Sequence, residues 1–339
     1  MPESPSNFRK RFLVLVMPKF FFLAAIFLLV SCNNHEETEP VLTKAPYNTL
    51  TDSIKLEPNN ADLYYRRGVL LYQNEQKGLA AADLRKAWNI TPKEQYALSL
   101  TTLLRDKNAD SAILFLQGAI DRYPNSIALH IGLARGYQQK GDLQKALTIC
   151  NQLLSAFPNQ LDALLLKAEL LKGLNQTDEE IATLEKAYSY APLDKEVAYK
   201  LAFDYAETKN SKVLTLTNNL SKIDSLAAEP YYFKGIYFSN MNNSAEAIRS
   251  FDKAIQKDFY FLNAHINKGI VYYDNKQFNY ALKTFALVAK ISPSNDEAYY
   301  WLAKTQEALG DKQNAKANYQ RAYALNKENT EAKAATDKL

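Results

Sequence analysis

From residue 47 onward, apolar residues recur three and four positions apart in runs of about a dozen, separated by short polar breaks. That spacing predicts amphipathic α-helices rather than strands. The helical runs come in pairs, and the pair itself returns about every 34 residues. Its clearest copy is Leu262 to Asn295, LNAHINKGIVYYDNKQFNYALKTFALVAKISPSN. Counted from its first residue, Gly269 takes the eighth place, Tyr272 the eleventh, Ala281 the twentieth, Phe285 the twenty-fourth and Pro293 the thirty-second.

Each of these places has a steric reason. The first helix runs from about place 2 to place 14, roughly 20 Å at 1.5 Å per residue. Gly269 lets the second helix approach closely, and Ala281 does the same from the other side. Tyr272 and Phe285 fill the wedge between the hairpin and its neighbour. Pro293 cannot continue a helix and biases Ser292 away from helical dihedrals, so it ends the second helix.

This pattern resembles the tetratricopeptide repeat (TPR), a helix–turn–helix unit of 34 residues. On that resemblance the chain holds eight repeats, at 61–92, 93–126, 127–160, 161–194, 195–227, 228–261, 262–295 and 296–329. Tyr47 to Glu57, ending at Pro58, reads as the second helix of a half-repeat cap over 47–60, and residues 330–339 as a polar end cap. The fifth repeat is degenerate. Ala202 and Tyr205 fit, but LTLTNNLSKIDS offers no matching alanine–aromatic pair, so a kink or a division into two sub-blocks is expected over 207–227. The resemblance implies an all-α fold, a right-handed superhelical solenoid over 47–339. A lone hairpin cannot bury its apolar face, and only stacking in a row closes the core.

In TPR proteins, places 2, 5, 9 and 12 of each first helix line the concave surface. Repeat one puts Tyr65, Val69 and Tyr72 there, and repeats three and four put Arg135, Gln138, Asp162, Glu169 and Lys172 there. Repeats five to eight put Tyr199, Phe203, Tyr232, Ile236, Ile270, Tyr273 and Tyr300 there. Aromatic side chains at a concave surface anchor peptides well, because they bury large area at little rotamer cost. The resemblance therefore implies a partner-binding groove. The doubled tyrosines fit it, with Tyr231, Tyr272 and Tyr299 inward and Tyr232, Tyr273 and Tyr300 toward the groove. The alternative is that the strip is covered within the molecule. The TPR subclass that clamps a terminal carboxylate needs Lys at place five of its first repeat, whereas every place five here is Tyr, Ala, Ile or Leu.

Residues 1–31 are a different material. Arg9, Lys10 and Arg11 precede an eleven-residue apolar run, Phe20 to Val30. A basic start, a short apolar run and small residues before a cut site read as a secretory signal. The run is too short for the roughly 20 residues of a spanning helix. Leu29-Val30-Ser31-Cys32 resembles a bacterial lipobox, which implies lipid attached at Cys32. Residues 33–46 read as a tether that reaches at most about 45 Å and averages nearer 20 Å as a coil. Glu36, Glu37 and Glu39 after the cysteine resemble the export tether of Bacteroidetes surface lipoproteins.

The formal charge of +4 invites a nucleic-acid reading, but the signal carries much of it. Without residues 1–31 the chain has 37 basic and 36 acidic residues, and no basic stripe remains to neutralise phosphates. Besides Cys32 the only cysteine is Cys150, at an inward place, so it is an apolar filler and no disulfide framework is expected. No phosphate loop, CxxC or HExxH occurs. His130 and His265 share place four of repeats four apart, too distant to share a metal, and are expected to pack. The carboxylates follow exposed helix faces with lysines four residues away. No catalytic residue, metal or cofactor is expected.

The sequence thus points to a non-catalytic scaffold or adaptor, lipid-anchored at the outer membrane and facing periplasm or cell surface, with a protein or peptide in its groove. The alternative is a surface-exposed lipoprotein that captures a ligand for an uptake or secretion system.

Overall fold

The computed structural model describes residues 39–339. The signal over 1–31, Cys32 and residues 33–38 of the tether lie outside the described residues. Residues 39–46, expected as a flexible tether, begin instead with a short helix. Its Val41 and Leu42 pack on the first apolar core, and the Leu42 carbonyl accepts from Thr51. Two short helices, α1 (Glu39–Leu42) and α2 (Asn48–Leu56), precede eight hairpins. The hairpins are α3 (Ala61–Gln73) with α4 (Lys77–Ile90), α5 (Glu94–Lys107) with α6 (Ala109–Arg122), α7 (Ile127–Gln139) with α8 (Leu143–Ala156), and α9 (Leu161–Gly173) with α10 (Thr177–Tyr190). They continue as α11 (Lys195–Glu207) with α12 (Lys212–Ile223), α13 (Glu229–Asn240) with α14 (Ser244–Lys257), α15 (Leu262–Asp274) with α16 (Phe278–Ile291), and α17 (Asp296–Ala308) with α18 (Lys312–Leu325). A last helix, α19 (Thr330–Lys338), packs on α18. Each helix packs on its neighbours in sequence, which makes the molecule an all-α solenoid, with no strand among the described residues.

Local chemistry sets the helix ends. Asn60, Asn108, Ser126, Asp142, Asp194, Asn243, Asn295, Asp311 and Asn329 cap helix N-termini by accepting backbone N–H groups. Between the helices of seven hairpins one residue turns left-handed at place 15. Gly141 and Gly310 (φ 84° and 85°) do this without a Cβ clash, whereas Glu75, Asn175, Lys209, Asn242 and Lys276 carry a side chain there. Where a phenylalanine fills the wedge, in the sixth and seventh repeats, the close helix approach needs glycine at place eight. A Cβ on Gly269 would sit 2.5 Å from Phe285, and one on Gly235 would sit 2.3 Å from Phe251. Phe251 and Phe285 are themselves fully buried, filling the wedge that the spacing predicts.

The fifth repeat departs from expectation. It does fold as a hairpin, α11 with α12, but one residue earlier in register. Val213, Thr217 and Leu220 are buried with the same four-then-three spacing as Ala247, Phe251 and Ala254 in the next repeat. Thr217, fully buried and hydrogen-bonded to the Val213 carbonyl at 2.7 Å, replaces the aromatic wedge. With that bulk gone, α11 packs on α13 more extensively than any other pair of successive first helices. One apolar core runs unbroken from Ala168 in α9 to Val271 in α15. The chain does not divide into two sub-blocks at 207–227.

Candidate functional site

The first helices of repeats five to eight carry a ladder of rings, each reaching the next first helix. Tyr199 meets Phe233 edge-on at 5.6 Å between centroids, and Tyr273 meets Trp301 at 5.6 Å. The Tyr232 hydroxyl accepts from Asn267 Nδ2 at 3.2 Å, and the Tyr300 hydroxyl donates to Glu331 at 2.6 Å. Lys304 lies over the rings of Tyr273, Tyr300 and Trp301, 4.6 Å from the last. Tyr199, Phe203, Tyr232, Tyr273 and Tyr300 are all half-buried. They join neighbouring repeats with part of each ring and leave the rest open, so the strip is both packing and surface.

Other expected groove residues divide. Tyr65 is half-buried against Tyr96, at 4.7 Å, and Tyr72 is 38% exposed. Ile270 is half-buried in the core of the seventh and eighth repeats. Ile236 does not reach the groove: it is 6% exposed and belongs to the central core. The tight approach of α11 to α13 covers its place. Of the tyrosines expected inward, Tyr299 is buried, while Tyr231 is half-buried near the ammonium groups of Lys234 and Lys253, and Tyr272 stacks on the exposed Tyr280. Trp301, at place six, is the hub of the last aromatic group and was not singled out by groove spacing.

The polar residues of the third and fourth repeats lie together. Gln138 donates to Glu169 at 2.7 Å, and Arg135, Asp162, Glu169, Glu196 and Lys200 line one recess. Beside it, between α9, α10, α11 and α13, lies a cleft of about 310 Å³ walled by Leu165, Leu184, Tyr199, Phe203 and Phe233. Glu180 and Asp204 line this cleft, and the side chain of each is only 7% exposed. Lys172, 57% exposed, places its ammonium 3.5 Å from Glu180 and 3.3 Å from Asp204 Oδ1. Asp204 Oδ2 is buried and meets no N–H donor, while a protonated Glu180 hydrogen-bonds the Asp204 carboxylate. Burial, then the neighbouring Asp204 carboxylate, raises the Glu180 pKa. Burial alone would lower the Lys172 pKa, but the carboxylates of Asp204 and Glu180 outweigh it and raise it.

The sequence does carry a signal for this pair, in the repeat register. Glu180 occupies place twenty, where six other repeats have Ala80, Ala112, Ala146, Ala247, Ala281 and Ala315. Asp204 occupies place ten, where no other repeat has a charged residue. The two histidines among the described residues pack. His265 is buried with Nε2 2.9 Å from the Phe259 carbonyl, and His130 Nδ1 lies 2.7 Å from the Ser126 carbonyl. Burial pushes the Cys150 thiol up to about 11, as suits an inert filler. Among the described residues no three His, Cys, Asp or Glu side chains converge to hold a metal.

Comparison with known proteins agrees with this architecture. Two tetratricopeptide repeat family models match, one over residues 103–170 and the other over 161–192, 228–257 and 296–329. The chain is a tetratricopeptide repeat protein. A solved tetratricopeptide repeat protein from Parabacteroides merdae is 18% identical, with a TM-score of 0.59 over 72% of this chain and 97% of that one. Yeast Tom70 is 17% identical, with a TM-score of 0.56 over 91% of this chain and 76% of that one. At such identities the likeness concerns the fold alone. No curated protein matches the chain.

Proposed function

We propose that the protein is a non-catalytic scaffold that holds a partner polypeptide along the concave face of its first helices. The observation that carries this reading is the ladder of half-buried rings from Tyr199 to Tyr300, repeated on one face of four successive hairpins. Rings fixed on one side and open on the other supply contact area without loss of rotamer freedom on binding. The lipobox-like Leu29 to Cys32 supports a lipid anchor at Cys32, which would hold the scaffold in a Gram-negative envelope at the outer membrane. Replacing Cys32 with serine is expected to move the protein from the membrane to the soluble fraction.

The groove is tested by crosslinked capture from envelope fractions, with wild type beside Tyr232→Ala/Tyr273→Ala. Wild type is expected to recover a defined complex that the double variant loses, while circular dichroism shows the variant still helical. Because both rings also join repeats, a fall in Tm accompanies the change. Equal capture by both proteins would place binding on another surface.

A further inference from the structure

The cleft between α9, α10, α11 and α13 is built unlike the rest of the solenoid core. Two carboxylates, Glu180 and Asp204, are buried there against one ammonium, Lys172, which itself sits at the rim. Burying charge without compensation is costly, and a buried acceptor without a donor adds to that cost. Asp204 Oδ2 is such an acceptor while Glu180 is ionised. The place Glu180 takes is filled by alanine in six sister hairpins, so the charge is not something the repeat requires.

We propose that this cleft receives a basic side chain, lysine or arginine, presented by the partner polypeptide in the groove. This inference rests on the scaffold reading above and names the chemistry of what the scaffold holds. A second cation balances the second carboxylate and offers donors to a pair that must otherwise share a proton. The walls fit the rest of such a side chain. Half-buried Leu165 offers apolar surface to its methylenes, and the half-buried rings of Tyr199 and Phe203 line the cleft where its charge would lie. Phe203 already receives a cation in this way, with Lys172 Nζ 5.3 Å from its centroid. The surroundings are acidic on balance. Glu169, Asp162 and Glu196 face Arg135 and Lys200 around the two adjoining recesses, in addition to the buried pair.

Without a ligand, the raised Glu180 pKa lets a proton take the place of the missing cation. Entry of a basic side chain expels that proton. Binding therefore tightens as pH rises through the Glu180 titration, in a cleft whose other facing charged groups are Lys172, Lys200, Asp204 and Glu169.

The test is a methyl-NMR titration of the full chain with n-butylguanidinium, beside n-butylurea, a neutral molecule of the same shape. The guanidinium is expected to shift the Leu165 and Leu184 methyl signals saturably, and the urea to leave them in place. Asp204→Asn is expected to weaken the response about tenfold or more. Should that variant lose its native spectrum, Glu180→Gln provides the same comparison. No saturable response, an equal response to the urea, or a full response in both variants would overturn the inference. Partner capture separates its failure from that of the scaffold reading. A partner held equally by wild type and Asp204→Asn refutes the basic side chain alone, whereas a wild type that captures nothing refutes the scaffold.

Discussion

Two buried ionic groups in this molecule have opposite constructions. Near the N-terminus, Arg67 in α3 meets Asp83 in α4 through two parallel bonds, Nε to Oδ2 at 2.6 Å and Nη2 to Oδ1 at 2.8 Å. Its Nη1 donates to Thr51 in α2 at 3.0 Å, and the Thr51 hydroxyl lies 2.8 Å from the Leu42 carbonyl. Charge and geometry are both closed, and the group clasps α1 and α2 onto the first hairpin. In the middle of the array, Glu180 and Asp204 share one rim lysine and leave an oxygen without an N–H donor. The carboxylates are buried alike in the two places, but Arg67 is buried with its partner while Lys172 stays at the surface. The difference lies in completion, which separates a fastening from a receptor.

Breaking the closed group has the largest effect. Arg67→Met strands a buried carboxylate and is expected to cost about 3–5 kcal/mol in chemical denaturation, with loss of structure starting at the N-terminal end. Arg67→Met/Asp83→Leu is expected to recover most of that loss, because the apolar pair leaves no charge unpaired. A double variant as unstable as the single one would mean that Asp83 is not the source of the cost.

The open group responds in the other direction. Glu180→Ala restores the residue that six sister hairpins carry and removes one of two crowded carboxylates, so it is expected to stabilise by about 1–2 kcal/mol. Destabilisation would show that Glu180 is already well compensated, which would sharpen the contrast the other way.

The smallest effect is in pH. The folded pKa of Glu180 is raised above the unfolded one, so between the two values the folded chain binds more protons. Its destabilising contribution is full above the folded pKa and fades as pH falls toward the ordinary glutamate value. The stability gap between Glu180→Ala and wild type is therefore expected to narrow on acidification, as read from paired denaturation curves. A gap that widens would reverse the assigned shift.

Much of the fold was legible because each repeat place carries a steric demand that few residues meet. Gly269, Ala281 and Phe285 could be read directly, since removing or adding a Cβ at such contacts has one outcome. The fifth repeat was harder to read because Val213, Thr217 and Leu220 solve the same packing problem with other side chains, one residue out of register. Ile236 was misplaced for a related reason. Its position depends on how closely α11 and α13 approach, which follows from a threonine in the neighbouring helix rather than from its own place. The groove aromatics were legible as a stripe, but not their second role, because ring contacts such as Tyr273 with Trp301 join residues 28 positions apart. Glu180 and Asp204 are legible only as departures from the repeat pattern, each a charged residue at a place where no other repeat has one.

The unbroken core from α9 to α15 also has a mechanical meaning. A solenoid has only nearest-neighbour interfaces, so a pull along its axis falls on its weakest junction first. The central hairpins share one continuous apolar mass, whereas the hairpins toward either end belong to smaller clusters. Stretched from its two ends, the molecule would lengthen by shedding terminal hairpins one at a time. The segment that carries the acidic cleft would be the last to yield, and it would keep its shape while the arms on either side paid out.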